Sequence, residues 1–133
     1  MTMRTPEHNL KRASETSATG RMGEDAAAEY LAAQGMQILG RNVRVGHNEI
    51  DILARDKDEI VFAEVRTRSE NWMMTPEQSV GPRKLAHLIT AGQEWTERNN
   101  YNGFWRVDLV SVTISHKQQV NIKHIRGITE PIV

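Results

Sequence analysis

The stretch NEIDILARDKDEIVFAEVRTR, residues 48–68, constrains the fold most, because two apolar runs flank a turn sequence. The DKD triplet at 56–58 is a typical turn signal. If Lys57 and Asp58 form a two-residue loop, residues whose numbers sum to 115 face each other across a β-hairpin. One face of that hairpin is then wholly apolar, which favours this register over its neighbours. The pairs on that face are Ile50–Val65, Ile52–Ala63 and Ala54–Val61.

The same register places two acids, Asp51 and Glu64, opposite each other on the second face. Aspartate is depleted in strands, and directly opposed Cβ atoms lie about 4.5–5.5 Å apart, so two carboxylates there repel each other. A divalent cation between them would replace repulsion with ligation, and Mg²⁺ commonly uses one or two carboxylates plus water and phosphate. The pair therefore predicts a metal site, with a solvated sheet face as the alternative.

Composition limits the class of protein. A chain of 133 residues is expected to form one domain. It has no cysteine, which excludes disulfides, thiolate metal sites and thiol nucleophiles. No apolar run approaches the ~20 residues of a membrane span, and the N-terminus lacks the apolar core of a secretory signal. We therefore expect a cytoplasmic protein without membrane contact.

The order of predicted elements is α-β-β-β-α-β-β, a mixed α/β (α+β) domain with a sheet of about five strands flanked by helices. Residues 1–18 are polar and unpatterned, which predicts a disordered tail before a single domain at 19–133. Thr19 is a candidate N-cap for the first helix. The predicted helices span 21–34 and a segment that begins at Pro82, and the predicted strands span 36–45, 48–55, 59–67, 105–114 and 119–125.

Five short motifs in this order resemble the YraN family, an uncharacterised bacterial family related to the restriction-endonuclease-like PD-(D/E)xK nucleases and to archaeal Holliday-junction resolvases. They are G-E-x-x-A at 23–27, I-L-x-R-N at 38–42, E-I-D-I-L at 49–53, V-F-x-E-V at 61–65 and P-R-K at 82–84. The resemblance covers residues 20–127 and implies a restriction-endonuclease-like core.

The resemblance also implies an activity, namely Mg²⁺- or Mn²⁺-dependent cleavage of phosphodiester bonds in DNA, rather than in RNA, including branched or otherwise structured DNA. Asp51 and Glu64 would be metal ligands and catalytic residues, and Glu24 would be an auxiliary ligand. Arg66 would occupy the position of the lysine in the E-x-K motif. Resolvase-like action would need two active sites, and hence a homodimer. For Glu24, an ordinary surface acid near a helix N-terminus is the alternative.

Arg66 is the main departure from the family pattern. A guanidinium remains protonated at biological pH, so Arg66 cannot take a proton from water, although it could neutralise charge on a phosphate. The hairpin register offers a structural alternative, because it sets Arg66 opposite Glu49 as a cross-strand ion pair. The alternative function is a catalytically weakened or inactive nuclease-fold protein that binds nucleic acid or a protein partner. A purely structural module is a third reading.

The net charge is zero, so any nucleic-acid contact must come from a local patch. The residues nominated for it are Arg66, Arg68, Gln78, Arg83 and Lys84. For the last three, ordinary solvation is the alternative reading. Trp72 is the one tryptophan considered for stacking on a base. Asp108 repeats the pattern of an acid within a strand, and we interpret it as a structural hydrogen-bonding residue.

Overall fold

The computed structural model describes residues 7–71 and 73–128, and their side-chain environment from residue 18 onwards. Its elements are α1 (Glu7–Ala33), β1 (Gln37–Val45), β2 (Asn48–Asp56), β3 (Glu59–Ser69), α2 (Pro82–Arg98), β4 (Phe104–Ile114) and β5 (Val120–Ile125), with a single 3-10 turn at Glu77–Ser79. This order confirms the predicted α-β-β-β-α-β-β arrangement. No helix in the described ranges is long and apolar enough to cross a membrane.

The five strands form one mixed sheet in the order β1-β2-β3-β4-β5. Neighbouring strands are antiparallel except β3 and β4, which run parallel along their whole length. Parallel neighbours need a crossover connection, and α2 supplies it. The carboxyl end of β3 therefore leads through the segment 70–81 to the start of α2, and these parts meet beside the candidate site.

Each helix covers one face of the sheet. The core under α1 contains Ala27 and Leu31 packed on Ile52, Ala63 and Val110, among others. The core under α2 contains Leu88 and Ala91 packed on Leu53, Phe62 and Val107, among others. Burial on both faces explains why the central strands are apolar almost throughout. Acids inside such strands therefore need a specific reason.

Helix α1 begins earlier than predicted, at Glu7 rather than Arg21, so Thr19 lies inside the helix and does not cap it. Residues 7–19 contain no proline or glycine, and a single interior glycine such as Gly20 costs only about 1 kcal/mol relative to alanine. Residues 7–18 belong to α1 in the structure, residues 1–6 lie outside the described part, and the disordered tail at 1–18 stays a prediction. The domain boundary near residue 19 stays a prediction.

The β2–β3 hairpin confirms the predicted register from its turn as far as the pair Ile52–Ala63. Beyond that pair β2 remains bonded to β1 down to Asn48 but separates from β3. Ile50 consequently packs in the core under α2, whereas Val65 packs against the core under α1. The predicted Ile50–Val65 pair is therefore wrong, and the separation of the two strands opens a fork at the candidate site.

Candidate active site

The fork between β2 and β3 brings two carboxyl groups together. The backbone N–H of Val65 donates a 2.8 Å hydrogen bond to Oδ2 of Asp51, just beyond the last backbone pair of the hairpin. This bond holds the Asp51 side chain beside Glu64, and the two carboxyl groups are close enough to share a hydrogen bond when one is protonated. The two carboxyl groups are thus close together as predicted, but the predicted direct pairing of Asp51 with Glu64 in the hairpin register is wrong, because the ladder ends at Ile52–Ala63.

Glu64 is buried, with only 4% of its surface exposed. Its Oε1 has no hydrogen-bond donor among the described residues. Burial, followed by the charge of Asp51, raises the pKa of Glu64 from 4.5 to about 7. Burial also raises the pKa of Asp51, although the Val65 N–H opposes that effect. Near neutral pH, protonation of Glu64 therefore competes with the binding of a cation by the pair.

Two cationic side chains approach the same oxygen of Glu64. Arg66 Nε lies 3.3 Å from Oε2, and Lys84 Nζ lies 3.8 Å from it. Lys84, which is predicted to contact nucleic acid, lies in the first turn of α2 beside the carboxylate pair, and that predicted contact stays a prediction. Glu49 sits opposite Arg44 in the β1–β2 hairpin, and the described residues contain no Glu49–Arg66 ion pair, so that alternative is wrong.

Glu24 reaches the fork from α1 because the helix packs unusually close to β3. A Cβ atom built on the neighbouring Gly23 would lie 1.8 Å from Oγ1 of Thr67, so only glycine allows this approach. Burial, and next the charge of Asp51, raise the pKa of Glu24. Glu24 is therefore within electrostatic reach of the carboxylate pair.

Two residues that hold Glu24 were not among the predicted site residues. The side chain of Asn42 donates a hydrogen bond to it, and Arg41 lies 3.9 Å from its Oε1 and 2.8 Å from Asp25. Both belong to the I-L-x-R-N motif on β1, which contributed to the family resemblance but did not indicate what Arg41 and Asn42 do. The motif thus links β1 to the acidic stretch of α1.

The donor set at the fork fits a hard, hydrated cation. The described residues contain no group of three or more acids or histidines at metal-ligand spacing, so Glu24 does not complete such a group here. Mg²⁺ needs no such group, since one or two carboxylates with water and substrate phosphate suffice. The unpartnered Oε1 of buried Glu64 supplies one oxygen ligand of the right kind.

The other nominated residues divide between the fork and the surface. Arg68 donates a 2.7 Å hydrogen bond to the backbone carbonyl of Met74 and stays near the end of β3. Gln78 accepts from the backbone N–H of Thr75 and donates its own backbone N–H to the Thr75 hydroxyl, a reciprocal capping box. Arg83 is exposed on the first turn of α2. Trp72 lies outside the described residues.

A second polar cluster is structural. Asp108 is fully buried and accepts hydrogen bonds from Arg106 Nε at 2.9 Å, from His124 Nε2 at 2.8 Å and from the Gly127 N–H at 3.0 Å. Burial alone would raise the pKa of Asp108, but the bonds from His124 and Arg106 outweigh it and lower that pKa below 3.8. The cluster ties β5 to β4, which confirms the structural interpretation of Asp108.

Comparison with known proteins places the chain in a family. Residues 23–112 match the uncharacterised protein family UPF0102. A UPF0102 protein of Streptomyces griseus is 40% identical over 114 residues, which cover 84% of this chain and 96% of the relative. One from Rhodococcus opacus is 37% identical over 122 residues, covering 90% and 96% of the two chains.

A third relative is longer. The UPF0102 protein of Oleidesulfovibrio alaskensis is 47% identical over 97 residues, which cover 72% of this chain but only 48% of the relative. The chain thus spans about half the length of that relative and nearly all of the other two. The carboxylate fork, with Glu24, Asp51, Glu64 and Lys84, lies entirely within the matched residues. On these matches, the chain belongs to the uncharacterised protein family UPF0102.

Proposed function

We propose that the protein is a divalent-metal-dependent endonuclease that hydrolyses phosphodiester bonds in DNA. The observation that supports it best is the pair of half-buried Asp51 and buried Glu64, in which burial raises the pKa of Glu64 to about 7 and Oε1 of Glu64 has no partner among the described residues. Two carboxyl groups this close destabilise the fold. Strongly perturbed carboxyl groups of this kind are typical of functional sites. A nuclease also fits the cytoplasmic location expected from the sequence.

In this proposal Asp51 and Glu64 hold Mg²⁺ or Mn²⁺, with Glu24 as an auxiliary ligand. When bound, the ion makes coordinated water more acidic and neutralises charge on the phosphate. Asp51 is fixed by the Val65 N–H, so its carboxylate is oriented before any ligand arrives. Burial of Glu64 excludes bulk water from its side of the site.

Lys84 supplies the lysine that the E-x-K position lacks. Its ammonium group lies 3.8 Å from Glu64 Oε2 and can donate hydrogen bonds to an attacking water or to a phosphate oxygen. Arg66 remains charged beside the same carboxylate and stabilises negative charge that develops on the phosphate. In this proposal Lys84 and Arg66 together perform the functions expected of the single lysine in the E-x-K motif.

The second candidate function is binding without cleavage. Two observations favour it. The position two residues after Glu64 on β3 holds Arg66, not a lysine, and its Nε lies 3.3 Å from Glu64 Oε2. The described residues also hold no cluster of three potential metal ligands. In this case the fork would bind a nucleic-acid phosphate through Arg66 and Lys84. The carboxylates would then shape the pocket and perform no chemistry.

A cleavage assay separates the candidates. Linear, flap and four-way-junction DNA, with an RNA strand for comparison, should be incubated with Mg²⁺, with Mn²⁺ or with a chelator. We expect metal-dependent cleavage of DNA that Glu64→Gln reduces at least about 100-fold, the low end for loss of a catalytic group. Asp58→Asn, which changes an exposed acid in the hairpin turn, is the matched control.

The outcomes distinguish the functions. Binding of DNA without turnover by the wild type would favour the second function, and neither binding nor turnover would contradict both. Junction cleavage would further require two copies of the chain, which sedimentation in the presence of junction DNA would detect. A monomer that cuts flap or linear DNA would leave the nuclease proposal intact and remove the expected homodimer.

A further inference from the structure

A surface pocket of about 350 Å³ lies at the end of β3, beside the carboxylate fork. It is lined by Arg66, Thr67, Arg68, Ser69, Met74 and Ser79. We propose that this pocket, here called the β3 pocket, binds one unpaired nucleotide of the substrate strand adjacent to the scissile phosphate. This inference rests on the proposed function and narrows its substrate class to DNA with unpaired nucleotides.

The position of the β3 pocket follows from the strand alternation. Side chains two residues apart share a face of a strand, so Glu64, Arg66 and Arg68 form a row on the face under α2. Arg66 lies in the middle of that row, where it contacts Glu64 on one side and lines the pocket on the other. A ligand in the pocket is therefore directly next to the carboxylate pair, where the neighbouring residue of a nucleic-acid strand would lie.

The charge of the β3 pocket favours an anion. Arg66 and Arg68 are its charged groups, and no acid is present among the described residues that line it. Arg68 uses one N–H for the Met74 carbonyl, whereas a guanidinium carries five N–H donors. This fixed bond orients the guanidinium and leaves donors for a phosphate. Pre-oriented arginines are well suited to phosphate binding.

The remaining wall favours a base rather than a phosphate alone. Met74 contributes an apolar thioether side chain that is 42% exposed, and methionine sulfur packs favourably against aromatic rings. The Ser79 hydroxyl donates its own hydrogen to the Pro76 carbonyl, and its oxygen can still accept a hydrogen bond from a sugar or a base edge. The pocket volume lies near the lower end of the roughly 300–1,000 Å³ typical of small-molecule sites. This volume is sufficient for one nucleotide.

This geometry has a consequence for substrate choice. A base can enter the β3 pocket only when it is not paired and stacked in a duplex, because extracting it from a duplex requires breaking its pairing and stacking. Single strands, flaps and junctions with unpaired nucleotides should therefore bind more tightly than continuous duplex. Preference for unpaired DNA is the property that the pocket adds to the carboxylate fork.

The test is a binding experiment without metal, so that it does not depend on cleavage. Fluorescence anisotropy with a labelled 12-nucleotide single strand and the matching duplex should be measured in a chelator at several salt concentrations. We expect the single strand to bind at least about tenfold more tightly. Arg68→Gln should weaken single-strand binding and lower its salt slope by about 0.7, the value for one phosphate contact to a single strand.

Arg68→Gln also removes the bond to the loop, so a second pair of variants is needed. Met74→Asp places a negative charge in the β3 pocket and retains the Arg68 bond, which uses the backbone carbonyl of Met74. Met73→Asp places the same charge on the preceding residue, whose side chain is 95% exposed and does not line the pocket. We expect Met74→Asp to weaken single-strand binding several-fold more than Met73→Asp does.

The results separate this inference from the proposed function. Equal binding of duplex and single strand, or equal effects of the two aspartate variants, would overturn the nucleotide pocket even if the protein cleaves DNA. Selective single-strand binding that depends on Arg68 and Met74 would support the pocket even if no cleavage occurs. Binding of inorganic phosphate as tight as that of thymidine monophosphate would contradict the base contact.

Discussion

The backbone N–H of Val65 donates a 2.8 Å hydrogen bond to the carboxylate of Asp51 at the place where β2 and β3 stop pairing. The side chain thereby replaces a backbone carbonyl that has moved away with β2. This bond explains why an aspartate occupies a strand position, because it lets the hairpin open without leaving the Val65 N–H unpaired. The opening exposes the oxygens of Glu64 to Lys84 and Arg66.

Glu64→Gln should change how stability depends on pH. Because burial raises the pKa of Glu64 from 4.5 to about 7, the native protein holds a proton that the unfolded chain has released between these values. The contribution of this group is full below pH 4.5 and is lost as pH rises to about 7, by about 1.4 kcal/mol per unit. Urea unfolding should show this decline in the wild type relative to the variant. If the free energy of unfolding depends on pH in the same way in both proteins, the raised pKa of Glu64 is refuted.

Gly23→Ala should destabilise the protein, since its Cβ would lie 1.8 Å from Thr67 Oγ1. Overpacking of this kind costs about 1–3 kcal/mol. Gly20→Ala, on the same helix with nothing within 4 Å, is the matched control and should stabilise by about 0.5–1 kcal/mol. Thermal melts of both variants test the close approach that carries Glu24. Equal effects of the two substitutions would mean that α1 does not pack tightly on β3.

Asp108→Asn should destabilise the fold by about 1–3 kcal/mol, because one amide oxygen cannot accept all the hydrogen bonds that the buried carboxylate takes from Arg106, His124 and Gly127, and a buried donor is left unpaired. Since hydrogen bonds from His124 and Arg106 outweigh burial and lower the pKa of Asp108, its contribution is present above pH 3.8 and is lost as pH falls below that value. Asp25→Asn removes an exposed ion pair to Arg41 and should cost under about 1 kcal/mol. Chemical denaturation near neutral pH compares them. A small loss for Asp108→Asn would mean that the cluster is dispensable.

Local patterns in the sequence determined the element order and most of the hairpin. The turn signal and the alternation of apolar residues predicted the pairing of Ile52 with Ala63, which the structure confirms. They could not predict that pairing stops at Asp51, because the reason is a hydrogen bond between a side chain and a backbone 14 residues apart. The assumption of a continuous ladder produced three incorrect register pairs, namely Ile50–Val65, Asp51–Glu64 and Glu49–Arg66.

The remaining features of the site depend on contacts between elements that are distant in the sequence. Lys84 was recognised as a cation at a helix start, but its approach to Glu64 depends on where the crossover places α2 over the sheet. The approach of Glu24 depends on the tight packing of Gly23 on Thr67. Propensity also favoured a helix start at the polar-to-apolar transition near Arg21, whereas nothing in residues 7–19 interrupts helix formation. The roles of the site residues stay predictions.

Arg66→Lys should increase DNA cleavage in the proposed nuclease. An ammonium group on the face of Glu64 can assist the attacking water as the family's lysine is expected to do, and general acid–base assistance is typically worth about 10²–10⁴-fold. Because Lys84 already lies 3.8 Å from Glu64, we expect the gain to be partial. Single-turnover rates on flap DNA measure it. A clear loss of rate would show that the guanidinium itself stabilises the transition state.

The most direct test of the account is the effect of Mn²⁺ on the stability of the wild type and of Asp51→Asn. Asparagine can still accept from the Val65 N–H and donate to Glu64, so the variant should be more stable than the wild type in a chelator. Mn²⁺ should stabilise the wild type, by about 2.7 kcal/mol when it exceeds its dissociation constant 100-fold. It should not stabilise Asp51→Asn, and Asp58→Asn should behave as the wild type. A wild-type protein indifferent to millimolar Mn²⁺, or an Asp51→Asn variant with the same gain, would contradict a metal site at the Asp51–Glu64 pair.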